Sequence, residues 1–83
     1  MFKIKAADGT NNLCGSKIAQ IRKAKKLSQR KLAEKMQLLG FDVDHYFIRR
    51  VENGERFVTD IDLVIFSKAL EVPISDMISA DDL

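Results

Sequence analysis

The sequence predicts an all-α domain of five short helices. Three observations carry that prediction. Apolar residues recur at i, i+3, i+4 and i+7 in successive windows, the period of a helix with one buried face. Residues suited to helix ends punctuate those windows: Ser28, Asp44 and Thr59 at starts, Gly40 and Gly54 at stops. Period-two alternation, the mark of a strand, is confined to residues 2–6, too short to stand alone.

At 83 residues and 46% hydrophobic, the chain holds one small core. A large substrate cleft with a lid does not fit beside it. Trp is absent and Pro73 is the only proline, which argues against a loop-rich or disordered chain. The expected organisation is an N-terminal arm over 1–12, a helical domain over 13–79 and an acidic tail over 80–83 that frays.

In the arm, Phe2, Lys3, Ile4, Lys5 and Ala6 alternate before Asp8-Gly9. A loose tail is the expectation; pairing with a second copy, or a reach toward phosphates by Lys3 and Lys5, are the alternatives. Asn11 or Asn12 caps the first helix, placed at 13–26. Cys14, Ile18 and Ile21 share its inner face. Lys17, Lys23, Lys25 and Lys26 ring the other side and the C-terminal end, where cations suit the helix dipole.

Ser28 caps the second helix, 29–39. Leu32, Met36 and Leu39 form its buried stripe, and Ala33 beside them lets another helix approach. Gly40 is a left-handed stop. After the turn Phe41-Asp42-Val43, Asp44 caps a third helix, 45–53. Val43 and Ile48 form a hydrophobic staple. Ile48 and Val51 point inward with Phe47 near them. His45, Tyr46, Arg49, Arg50 and Asn53 form the opposite strip.

Phe57 and Val58 are expected to return to the core after Gly54. Thr59 and Asp62 make a variant capping box for a fourth helix. Ile61, Leu63, Val64, Ile65, Phe66, Ala69 and Leu70 place that helix at the centre, with Lys68 outward. Val72-Pro73 precedes a fifth helix, 74–79, whose Ile74, Met77 and Ile78 close the core.

Charge is unevenly spread. Residues 1–58 hold 13 Lys/Arg against 6 Asp/Glu, a balance of +7, and residues 59–83 hold Lys68 against 6 acids, a balance of −5. A basic front and acidic back suit a module that turns one face to a polyanion. The third helix fits base edges chemically, since Arg pairs bidentately with guanine, and His and Tyr reach base edges or phosphates. The second and third helices together read as a helix-turn-helix over residues 27–54.

Little else in the chain suggests chemistry. Cys14 and His45 are the only soft metal ligands and stand on different helices, so neither a metal nor another cofactor is expected. Cys14 on an apolar stripe is core filler rather than a nucleophile. The expectation is a non-enzyme. A single cysteine suits a reducing compartment, and no segment has the length of a membrane span or a signal peptide, which points to the cytoplasm.

The residues resemble the lambda-repressor-like, Cro-type (Xre) helix-turn-helix domains. The matching pieces are Ile21-Arg22, Leu27-Ser28-Gln29, Leu32-Ala33, Ile48 with Val51, Glu52-Asn53-Gly54, and Leu70-Glu71-Val72 with Ile74. They occur in order across 13–78. The resemblance implies a five-helix lambda-repressor-like fold with helix 45–53 placed in the major groove of double-stranded DNA. His45, Tyr46, Arg49 and Arg50 would read bases. Ser28, Gln29, Arg30, Asn53 and Arg56 would hold phosphates. Arg22 and Glu52 would form a structural ion pair between the first and third helices.

The implied function is a sequence-specific transcriptional regulator, a repressor, acting as a homodimer on a palindrome. The alternative is a protein-interaction module on the same fold, antitoxin-like or an anti-regulator, which Asp44, Glu55 and the acidic back half favour. Two departures stand out. Gln29 to Gly54 spans 26 residues where about 21 are usual in the motif, the extra five falling at Gln37 to Phe41, which lengthens the second helix by about one turn and changes the turn itself. Asp44 and Glu55 also replace small polar or basic residues, and Phe47 replaces a small polar one.

Overall fold

A computed structural model describes residues 5–6 and 8–83 of the chain. The expectations for Phe2, Lys3 and Ile4 lie outside the described residues. Four α-helices follow in order: α1 Gly15–Ala24, α2 Gln29–Leu38, α3 His45–Glu52 and α4 Asp60–Leu70. Two 3-10 turns, Ile74–Asp76 and Ala80–Asp82, complete the chain. Among the described residues there is no strand, and the fold is all-α.

The helix starts are local chemistry. Lys31 N–H donates to Ser28 Oγ at 3.0 Å, and Phe47 N–H to Asp44 Oδ1 at 3.0 Å. Thr59 and Asp62 exchange bonds in a full capping box, each 3.0 Å. Each satisfies amide donors that the first turn of a helix leaves without a partner. At α1 the cap is offset. Asn12 Oδ1 accepts from Gly15 N–H at 2.8 Å, while Cys14, at the formal cap position, contributes no side-chain bond.

The helix ends share one device. After α2, Gly40 turns left-handed at φ 89°, with Phe41 N–H reaching Met36 O at 3.0 Å and Gly40 N–H reaching Gln37 O at 2.9 Å. Gly54 closes α3 in the same way, with bonds to Arg50 O and Val51 O. After α1 the left-handed residue is Lys26, φ 59°, and after α4 it is Glu71, φ 57°. Bonds from Leu27 N–H to Arg22 O and from Val72 N–H to Ser67 O hold these side-chain-bearing residues in place.

The core lies where α2 packs on α3 and α4, and α1 on the same two. Ile18, Leu32, Met36, Ile48, Val51, Phe66, Leu70 and Met77 are wholly buried within it. Phe47 is buried too, stacked on Phe66 at 5.8 Å and 12° and meeting Phe41 edge-on at 6.3 Å. This is why a large aromatic stands where a small polar residue is usual. The longer connection after α2 supplies Phe41 to pack against it.

Four expectations need correction. Leu39 does not join the α2 stripe: the helix stops at Leu38, the chain turns at Gly40, and Leu39 is left 48% exposed while Phe41 takes the inner position. The α4 helix is not central on all sides. Ile61 is 64% exposed and Val64 40%, while Phe66, Ala69 and Leu70 are buried and Leu63 and Ile65 pack half-buried against the core. The fifth helix is a single 3-10 turn, which buries Met77 but leaves Ile74 exposed. Phe57 stays 41% exposed while Val58 packs on the core.

Residues 8–12 and 79–82 each make specific bonds. Lys17 Nζ meets Asp82 Oδ1 at 2.7 Å, and Ser79 N–H donates to Asp82 Oδ2 at 2.7 Å, so residues 79–82 form a docked turn. That ion pair holds the Asp82 carboxyl below the usual carboxylate range, with the Ser79 amide adding to the effect. In the arm, Asp8 accepts from Thr10 N–H and Thr10 Oγ1, which likewise lowers its pKa.

Candidate nucleic-acid interface

The eight residues of α3 divide cleanly. Phe47, Ile48 and Val51 are buried. Tyr46, Arg49 and Arg50 are exposed, Tyr46 by 57%, and His45 is half-buried beside them. The His45 and Tyr46 rings lie 4.2 Å apart, tilted by 34°. Helical spacing sets two outer rows, His45 with Arg49 and Tyr46 with Arg50 and Asn53. Asn53 is the exposed C-cap. The strip therefore offers guanidinium donors, an imidazole and a phenol on the side away from the core.

The start of α2 stands beside the end of α3. Ser28 and Arg30 are exposed. Ser28 Oγ accepts from Lys31 N–H, which leaves its hydroxyl proton free to donate outward. Gln29 Nε2 donates to Glu52 Oε1 at 3.0 Å, joining the two helices of the motif.

Glu52 is the junction of three helices. Arg22 Nε meets Glu52 Oε2 at 2.7 Å and Nη2 meets Oε1 at 3.0 Å, a bidentate pair with side chains only 9% and 6% exposed. Arg22 Nη1 also donates to Leu27 O at 2.7 Å. The hydrogen bonds to Glu52 raise the Arg22 pKa above its ordinary value, against the opposing effect of burial. The guanidinium is thus satisfied and fixed, and it sets the angle of α3 against α1 and the entry to α2.

The connection between α2 and α3 is held despite its length. Gln37 Nε2 donates to Val43 O at 2.7 Å, and Val43 N–H reaches Phe41 O at 2.9 Å. Arg56 lies exposed after the α3 turn, its guanidinium 4.7 Å from the centre of the Phe47 ring. That contact favours one position for the charge beside the helix.

With this geometry in view, the family comparison is decisive: the helix-turn-helix family matches residues 18–77. The chain belongs to the helix-turn-helix family. It is a DNA-binding transcriptional regulator of the lambda-repressor-like, Cro type. Among solved structures it is similar to the restriction-modification controller protein C.AhdI from Aeromonas hydrophila. That likeness has a TM-score of 0.68 and 27% identity, covering 80% of this chain and 92% of the other. No curated protein matches the sequence.

Within this helix-turn-helix domain the sequence reading missed several supporting residues. Asn12 Nδ2 donates to Val51 O at 3.0 Å and Arg56 O at 2.8 Å. Asn11 Nδ2 donates to Glu55 O at 2.8 Å, and its backbone N–H to Gly54 O at 2.8 Å. Gly15 sits directly against the Val51 carbonyl, so a β-carbon there would overlap the α3 backbone. An Asn pair ahead of a helix reads as a cap; its second use, across roughly forty residues of sequence, leaves no local signal. Cys14 is 1% exposed, and burial pushes its thiol up to about 11, so it is a packed apolar group.

Proposed function

We propose that the chain is a repressor that places α3 in the major groove. The exposed strip of α3, opposite buried Phe47, Ile48 and Val51, is the observation that carries this reading. Arg49 and Arg50 read bases by bidentate donation, and His45 and Tyr46 make further base-edge contacts. Ser28, Gln29, Arg30, Asn53 and Arg56 hold phosphates on either side. Gln29 keeps one amide proton for DNA after bonding Glu52, and so links backbone contact to the α3 pose.

The protein works without catalysis, in the cytoplasm, as a homodimer on a palindrome. One domain spans a half-site, and two-fold protein symmetry matches two-fold operator symmetry. The outer face of α4 supports the dimer. Ile61 and Val64 are exposed in sequence between Asp60 and Lys68, which stand at opposite ends of the same helix. Antiparallel pairing centred on Val64 sets Asp60 of one protomer against the partner's Lys68, burying the apolar residues between. The controller similarity, over 92% of that protein's length, supports a regulator built on this domain.

A mobility-shift titration with duplex DNA at several salt concentrations tests the groove reading. Binding should be strongest at low salt and fall linearly on a log–log plot, as counterion release requires. Binding that is absent at low salt, or indifferent to salt, would contradict it.

A further inference from the structure

We infer that Thr10, Asn11 and Asn12 are positioning residues for DNA binding, acting through the corner that follows α3. The inference rests on reading Asn53 and Arg56 as phosphate contacts. The corner is residues 53–56, and its carbonyls face the arm. Gly54 O accepts from Asn11 N–H, Glu55 O from Asn11 Nδ2, and Arg56 O from Asn12 Nδ2. The same Asn12 amide reaches Val51 O in the last turn of α3. One side chain therefore spans the helix end and the segment beyond it.

From its other side the corner is held by α3: Asn53 N–H donates to Arg49 O, Gly54 N–H to Val51 O, and Glu55 N–H and Arg56 N–H to Arg50 O, the last at 3.3 Å, with the Arg56 guanidinium over the Phe47 ring. Those bonds use the corner's amides; its carbonyls are the groups that Asn11 and Asn12 hold. Thr10 completes the clamp by packing against Gly54. A β-carbon on Gly54 would stand 2.7 Å from the Thr10 side chain, so Thr10 lies directly on the turn. Asn12 Oδ1 meanwhile caps α1 at Gly15 N–H. The arm thus fastens the α3 corner to the start of α1. It presets the backbone that carries Asn53 and Arg56 before DNA arrives, which lowers the ordering cost of binding.

Asn12→Asp separates the clamp from the cap. Aspartate still accepts from Gly15 N–H but cannot donate to Val51 O or Arg56 O. Asn11→Ala removes only the side-chain bond to Glu55 O and carries the test if Asn12→Asp fails to fold. Both are compared with the full chain by thermal unfolding, then by duplex titration against salt, alone and combined with Arg56→Ala.

The expected result is affinity lowered by roughly 3- to 10-fold for matched and random duplex alike, the scale of one or two lost hydrogen bonds. Base preference should be unchanged and the salt slope shallower by about 1. The arm variants should add much less loss in the Arg56→Ala background, because interacting sites are not additive. Folded arm variants that bind like the unaltered chain, while Arg56→Ala alone flattens the slope, would overturn the positioning role and leave the phosphate reading standing. If neither Arg56→Ala nor Asn53→Ala alters the slope, the phosphate reading fails and the positioning role falls with it.

Discussion

At the residue scale, some side chains are committed to structure and others are left for DNA. Arg22 and Arg50 are both guanidinium groups on basic helices. Arg22 gives its donors to Glu52 and Leu27 and is 8% exposed, whereas Arg50 stands exposed on α3. Glu52→Ala should therefore cost about 3–5 kcal/mol in urea unfolding, because it strands a buried charge. Arg50→Ala should leave stability within about 0.5 kcal/mol and act on DNA. Cys14 offers a check of burial. Its thiol should resist modification in the folded protein and react only on unfolding. Its raised pKa, about 11, means its stabilising effect is complete below the ordinary value of 9.0 and is lost as pH rises toward 11. A urea midpoint that stays flat across that window would contradict the assignment.

At the element scale, what could be read from sequence was what is local. Ser28, Asp44 and the Thr59–Asp62 box act within three residues, so their spacing is visible in the chain. Lys26 and Glu71 adopt the left-handed conformation with no glycine to announce it, held there by bonds back to the helix they end. Leu39, Ile61 and Val64 have the right period to be core, and only the packing shows that the described residues leave them exposed.

Glycine substitutions should separate the two kinds of constraint. Gly40→Ala meets open space, so its cost is the left-handed backbone alone, about 1–2 kcal/mol. Gly54→Ala carries the same backbone cost and also displaces Thr10, so its unfolding midpoint should fall further. Equal losses would show that the arm does not press on the turn. The terminal turn gives a pH signal. Asp82 has its pKa depressed below 3.8, so the docking is intact above that value and is lost as pH falls through the lowered one. The Ser79 amide, bonded to Asp82, should report that midpoint by NMR, and a midpoint above 3.8 would contradict the docking.

At the scale of the whole molecule, a basic front half and an acidic back half fold so that the basic strip of α3 is outward, with an apolar row on α4 outside the core. Val64→Asp should convert a dimer to a monomer in sedimentation equilibrium, since it would set two carboxylates face to face on the proposed axis. Its helix content should be unchanged. A dimer that survives the substitution would place the interface elsewhere. The general layout was legible because caps, stops and apolar period agree with one another from Asn12 to Met77. The arm's hold on α3 was not, because its bonds join residues about forty apart and nothing in either stretch alone calls for the other.

Selection of bound sites from a random duplex pool, run in parallel on the unaltered chain and Arg50→Ala, tests the central claim most directly. The account predicts a palindromic motif for the unaltered chain with half-sites about one helical turn apart. For Arg50→Ala it predicts the same spacing with preference relaxed at one position in each half-site. An identical motif from both proteins, or no motif from either, would contradict the assignment of α3 as the base-reading helix.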